Sequence, residues 1–145
     1  MRRDHFTLAV EHVDSQSTDP PTLAVLYEGP AGNLTARLTA TGEAPGSEDV
    51  DSAFRLQGPV AAEDSPGVFS LSRRLTGEYL LEAKADAAAV RALIDAARER
   101  GGSYRIRIER PGADDIVLDK ETLLVYDPDG NLLRQESLIP SGVEL

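Results

Sequence analysis

The chain contains no cysteine, no tryptophan and a single methionine. Without cysteine it can form no disulfide, no thiolate nucleophile and no cysteine-ligated zinc site. No apolar run approaches the roughly 18 residues that mark a membrane-crossing helix. The first run, Phe6 to Val10, is interrupted by Thr7, and Arg2 and Arg3 lead into neither an apolar segment nor a small-residue cleavage site of the secretory kind. A cytoplasmic, non-membrane protein is the expectation. Lysine is nearly missing as well: of 15 basic residues only Lys84 and Lys120 are lysines, and the others are arginine.

What is abundant is carboxylate, with 25 Asp and Glu and a net charge of -10. That charge argues against a general binder of nucleic acid or of anionic membranes, whose affinity comes from Lys and Arg neutralising phosphates. An acidic, lysine-poor and alanine-rich composition is what keeps a protein soluble in concentrated salt. At about 1 M ionic strength the Debye length falls to roughly 3 Å, so partners would be held by short-range contacts rather than by charge steering. Apolar burial and direct hydrogen bonds survive such conditions.

At 145 residues the chain has the size of one domain, 1–145, able to bury a substantial core. Phe6, Leu8 and Val10 alternate with Thr7, Ala9 and Glu11 as in a half-buried strand. Thr22 to Glu28 is a second strand, apolar on both sides and so covered on both faces. Residues 33–40 fit two patterns, since Leu34, Ala36, Leu38 and Ala40 alternate while Leu34 and Leu38 also share a helical stripe. The threonines favour a strand. Thr41 to Asp51 is a polar, turn-rich loop and the segment expected to be mobile. Ala53 to Gln57 is a strand with Phe54 and Leu56 inward. Val68 to Leu75 and Tyr79 to Ala85 form a hairpin across Gly77, with Phe69, Leu71, Tyr79 and Leu81 on its buried side.

The clear helix covers about 86–100. Asp86 can cap it, Val90, Leu93, Ile94 and Ala97 make its apolar face, Arg98 and Arg100 suit its C-terminal end, and Gly101 stops it. Strands follow at Tyr104 to Glu109, Ile116 to Leu118, Leu123 to Tyr126 and Leu132 to Leu138, the last two joined by a turn at Asp127 to Asn131. The short turns imply antiparallel pairing. The fold class is therefore α+β, a mainly antiparallel sheet or sandwich of about seven to nine strands with one amphipathic helix.

Candidate chemistry is sparse. His5 and His12 lie seven apart, so an unbroken strand points them to opposite faces and they do not share a metal. No serine sits in a G-x-S-x-G elbow. Asp127 to Asn131 lacks the sixth-position glycine and twelfth-position glutamate of a calcium loop and is explained as a turn. No pattern calls for a cofactor, a metal or a catalytic residue. The candidate interaction residues are Arg73 and Arg74, Arg105 and Arg107 on one strand face, and the apolar Ile139, Val143 and Leu145 near the end of the chain. The last three either pack on their own domain or dock on a partner, a protein or a second copy.

The opening Met1-Arg2-Arg3-Asp4-His5-Phe6-Thr7-Leu8, the central Phe54-Arg55-Leu56-Gln57-Gly58-Pro59 and the closing stretch from Leu124-Val125-Tyr126-Asp127 to Leu145 resemble a family of small haloarchaeal proteins of unknown function. The resemblance spans essentially the whole chain and implies a salt-adapted, cytoplasmic protein. It brings no catalytic residue, ligand or partner. The leading reading is a non-enzymatic binding or protein-interaction module. The alternative is a small enzyme with an acid-base site built from carboxylates and His5 or His12.

Overall fold

The computed structural model describes residues 5–14, 18–30, 32–39 and 45–140. Within them lie eight strands: β1 (Phe6–Glu11), β2 (Thr22–Tyr27), β3 (Val50–Leu56), β4 (Pro66–Arg73), β5 (Tyr79–Asp86), β6 (Tyr104–Glu109), β7 (Ile116–Lys120) and β8 (Leu124–Tyr126). Two helices, α1 (Asn33–Leu38) and α2 (Ala87–Glu99), and a 3-10 turn at Ser47–Asp49 complete the described elements. The α+β expectation holds. The strands make two four-stranded sheets, ordered β1-β2-β6-β7 and β5-β4-β3-β8.

Both sheets are mixed rather than antiparallel throughout. Neighbours in sequence pair antiparallel, β1 with β2, β3 with β4, β4 with β5 and β6 with β7. The two parallel pairs, β2 with β6 and β3 with β8, join strands far apart in the chain. Period-two alternation marks a strand's buried face but carries nothing about which distant strand lies beside it. The chain changes sheet between β2 and β3, between β5 and β6, and between β7 and β8, and those crossings create the parallel neighbours.

The inner faces of the two sheets share one apolar core. Leu23, Val25 and Tyr27 of β2 and Ile106 and Ile108 of β6 meet Phe54 of β3, Phe69 and Leu71 of β4, and Val90, Leu93 and Ile94 of α2. Helix α2 packs where β1 of one sheet comes beside β5 of the other. Its buried stripe matches the sequence pattern. Gly101 ends it with φ +92°, and the Gly102 amide donates to the Ala97 carbonyl at 2.7 Å, a Schellman closure. Asp86 stands at the N-cap with an extended backbone, but its side chain makes no capping bond, and the Ala87 amide donates to the Ser65 carbonyl instead.

Four expectations need correction. Residues 33–38 form a helix, not a strand, with Leu34 and Leu38 buried one turn apart. A six-residue helix cannot stand on propensity, and tertiary contacts hold it. Arg73 Nη2 donates to the carbonyls of Arg37 at 3.1 Å and Leu38 at 3.2 Å, groups a helix end leaves unpaired. Tyr79 is 56% exposed, because the ladder shifts between Leu71 and Ser72 and the irregularity turns both Leu80 and Leu81 inward. Leu132 to Leu138 is no strand: only Leu132 and Leu138 bridge to Tyr126 and Leu123, around a turn at Arg134 to Glu136. In β2, Leu26 is 40% exposed, so its second face is only partly covered.

The arginines do more than pair with carboxylates. Arg91 donates to the carbonyls of Val60, Ala62 and Glu63, and Arg98 to those of Gln135 and Ser137. Arg100 donates to His12, Asp14 and Asp19. A guanidinium presents five donors in a fixed plane and can gather several carbonyls from one loop, which an ammonium on a flexible stem does less well. Two arginines of α2 and Arg100 at its C-cap thereby fasten three irregular segments to the core.

Candidate functional site

Two of the four candidate arginines meet, and two do not. Arg74, just past β4, and Arg105, on β6, line one open cleft of about 550 Å³. Its walls also include Ser47 and Glu48 of the 3-10 turn, Asp119 and Lys120 of β7, and Thr122. Arg73 is occupied in capping α1. Arg107 lies on the outer face of β6, where Nη2 donates to Glu11 at 2.8 Å and approaches Glu109 at 3.8 Å. Those carboxylates hold it charged beyond the ordinary arginine range, Glu11 chief among them.

The chain brings the cleft together by register. β6 alternates Tyr104, Ile106 and Ile108 inward against Arg105 and Arg107 outward. Antiparallel pairing then sets Arg105 opposite Asp119 and Tyr104 opposite Lys120. Arg74 and Arg105 are held alike. Arg74 Nε donates to Asp51 Oδ1 at 3.0 Å, and Arg105 Nε donates to Asp119 Oδ1 at 3.0 Å. Among the described residues neither guanidinium has a hydrogen bond from its Nη groups. Each is oriented through one nitrogen and keeps two for another acceptor.

Beneath lies a polar floor. Ser52 Oγ and Tyr104 Oη are 2.6 Å apart, and each lies 2.9 Å from the Thr122 carbonyl. Burial pushes the Tyr104 phenol far above its ordinary range, with the Ser52 hydrogen bond working the other way. Lys120, 8% exposed, donates from Nζ to the carbonyls of Ser47 at 2.8 Å and Val50 at 2.7 Å. Burial lowers its affinity for the proton, Arg74 adds to that, and Asp51 opposes it. A network so fully paired closes this end of the fold and fixes the position of the 3-10 turn.

Lys120 is the residue the sequence reading passed over. Its signal was available: Ile116, Leu118 and Lys120 occupy the inward positions of β7, so one of only two lysines falls on a core register. Neither histidine lines the cleft. The His5 ring stands edge-on to Tyr27, and His12 Nδ1 lies 3.7 Å from Asp19. No group of three His, Asp or Glu among the described residues is placed to hold a metal. Ile139 is half-buried beside Pro140, which lines the cleft, while Val143 and Leu145 lie outside the described residues.

A second hollow of about 700 Å³ lies on the second sheet between Arg55, Tyr79 and Glu82. There Arg55 Nη2 donates to the Pro128 carbonyl at 2.8 Å, and among the described residues no second guanidinium lines the hollow beside it. The adjoining turn is as the sequence implied. The Asp127 carboxylate accepts the amides of Asp129 and Asn131, both at 2.9 Å, and Gly130 takes φ +88°. Those bonds, Asn131's amide foremost, hold the Asp127 carboxyl below its ordinary range.

A pH prediction follows from the sign of that shift. A carboxyl whose folded pKa is depressed stabilises the fold at pH above its unfolded value, about 3.9, and loses that contribution as pH falls through the folded value. Asp127→Ala should therefore lose less stability than wild type on acidification below about pH 4. Urea midpoints at pH 6 and pH 3 for both proteins check it, and parallel losses would remove the turn carboxylate from the acid response.

The chain matches a family of unknown function, DUF5793, over residues 1–145, and it belongs to that family. No curated protein and no solved structure matches it. No helix among the described residues is long and apolar enough to cross a membrane.

Proposed function

We propose that the chain is a non-enzymatic binding module of a salt-adapted cytoplasm and that its ligand enters the Arg74–Arg105 cleft. The observation that carries this reading is the paired use of Nε. Each arginine is oriented by a carboxylate while its Nη groups stay uncommitted at the wall of one cavity. A guanidinium prepared in this way loses little further freedom when it takes a ligand oxygen, so more of each charge-assisted bond appears as affinity. Such direct contacts persist in concentrated salt, where long-range attraction does not.

The enzyme alternative has one observation in its favour, the lowered proton affinity of Lys120 beside a cleft. Its amine, however, is spent on the backbone carbonyls of Ser47 and Val50, and neither histidine is at hand. The binding reading accounts for more of the geometry.

The test is a ligand screen by amide NMR at fixed, high ionic strength, with wild type, Arg74→Gln and Arg105→Gln in parallel. Both side chains are about half exposed, so the variants should fold as wild type does. A bound small molecule should shift resonances of Ser47, Ser103, Asp119 and Thr122. Each substitution should weaken it by about 1.5–3 kcal/mol, the worth of a hydrogen bond to a charged group. Ligand shifts that ignore both substitutions would remove the cleft from the binding reading.

A further inference from the structure

We infer that the ligand of this cleft is a zwitterion carrying a carboxylate and a protonated primary amine, the chemistry of a free amino acid. The inference rests on the binding reading above and adds the class of ligand. The charged lining is balanced, with Arg74, Arg105 and Lys120 against Glu48, Asp119 and Glu121. Pairing within the protein does not use up both signs. Asp119 is taken by Arg105, Arg74 by Asp51, and the neighbouring Asp49 caps its own turn through the Gly46 amide at 2.9 Å. What stays uncommitted among the described residues is the Nη groups of two arginines and the carboxylates of Glu48 and Glu121.

A simple anion would satisfy the guanidiniums and meet the repulsion of those carboxylates. A simple cation would find Glu48 and Glu121 but face the arginines and Lys120. A molecule with one group of each sign uses both and adds no net charge to the cavity. The cationic end is further specified by what the walls lack. The lining contains serines, a threonine, prolines and charged residues, and no aromatic ring. Quaternary ammonium groups have no N–H to donate and are recognised on aromatic faces. A primary ammonium can donate directly to a carboxylate, which makes it the better match. The volume of about 550 Å³ lies within the range of small-molecule sites.

The probes are glycine, its trimethylated form (betaine), acetate, methylammonium and inorganic phosphate, each titrated into the full ¹⁵N-labelled chain at constant ionic strength and pH 7. Glycine should shift the cleft amides with an affinity at least about tenfold above betaine, acetate or methylammonium, a difference of about 1.4 kcal/mol. Arg74→Gln should abolish most of that response. The double change Glu48→Gln with Glu121→Gln should bring glycine down to the level of acetate while leaving acetate itself as strong or stronger. Acetate or phosphate binding as tightly as glycine would overturn the zwitterion and leave the cleft a binding site. Betaine binding equally well would overturn the primary-amine assignment, and no cleft response to any probe would overturn the inference and count against the binding reading together.

Discussion

Phe54→Ala should cost the fold about 3–5 kcal/mol, the range for truncating a well-packed aromatic core residue. Phe54 is 1% exposed at the centre of β3, with β4 on one side and β8 on the other. Val90 and Ile94 of α2 and Val125 of β8 surround the same small gap. Collapse into the vacated space would require α2 to move, and Arg91 and Arg98 hold that helix to the segments at Val60 to Glu63 and Gln135 to Ser137. A cavity that cannot relax carries the larger penalty.

Gly67 tests the same packing from the other side. A Cβ at this position would sit 2.3 Å from Phe54 Cζ and 2.7 Å from the Arg55 carbonyl oxygen. Gly67→Ala should therefore destabilise by about 1–3 kcal/mol through overpacking. Because both changes act on one contact, Gly67→Ala combined with Phe54→Leu should cost less than the sum of the two single changes. Urea unfolding of the four proteins measures it. Strict additivity would show that the ring does not need the space the glycine leaves.

The strands and α2 were legible because their signals are local. Tyr104 to Glu109 alternates cleanly, and Val90, Leu93, Ile94 and Ala97 recur at helical spacing, whatever lies elsewhere. What escaped depends on distant partners. Leu34 and Leu38 fit helix and strand alike, and the choice is made by burial and by Arg73, which lies more than thirty residues away and supplies the donors that close the helix end. The shift beside Leu71 exposes Tyr79 through a ladder irregularity that neither strand displays by itself. Leu132 to Leu138 contains leucines enough for a strand, yet its polar centre turns away and the Ser137 hydroxyl accepts the Val125 amide in place of a strand partner.

The candidate site divides in the same way. That Arg74 and Arg105 belong together is a consequence of two sheets meeting at one end, which residue type cannot disclose. Arg73 and Arg107, equally basic in sequence, have other partners. Lys120 was readable from its register. Reading it required giving weight to a rare residue at an inward position rather than to the commoner arginines outside.

Raising KCl from 0.1 M to 2 M should stabilise the protein by about 2 kcal/mol or more, or roughly 6–8 °C in Tm for a domain of this size. The cause is the excess of 25 carboxylates over 15 basic groups. Many acids stand at the surface, and pairs such as Glu63 with Asp64 and Asp114 with Asp115 are adjacent and exposed. Their repulsion is felt in the folded state more than in the expanded chain, so screening favours the fold. Salt also weakens the ion pairs of Arg74, Arg105 and Arg107, but pairs this exposed contribute little, and their loss does not cancel the gain. The shape of the curve separates two causes. Charge screening is nearly complete by about 1 M, where the Debye length is about 3 Å. Stronger apolar burial by excluded salts continues to grow with concentration. A steep rise that levels off near 1 M KCl would assign the effect to the acidic surface, a steady slope would assign it to the core, and a Tm that is flat or falls would remove salt adaptation from the account of this chain.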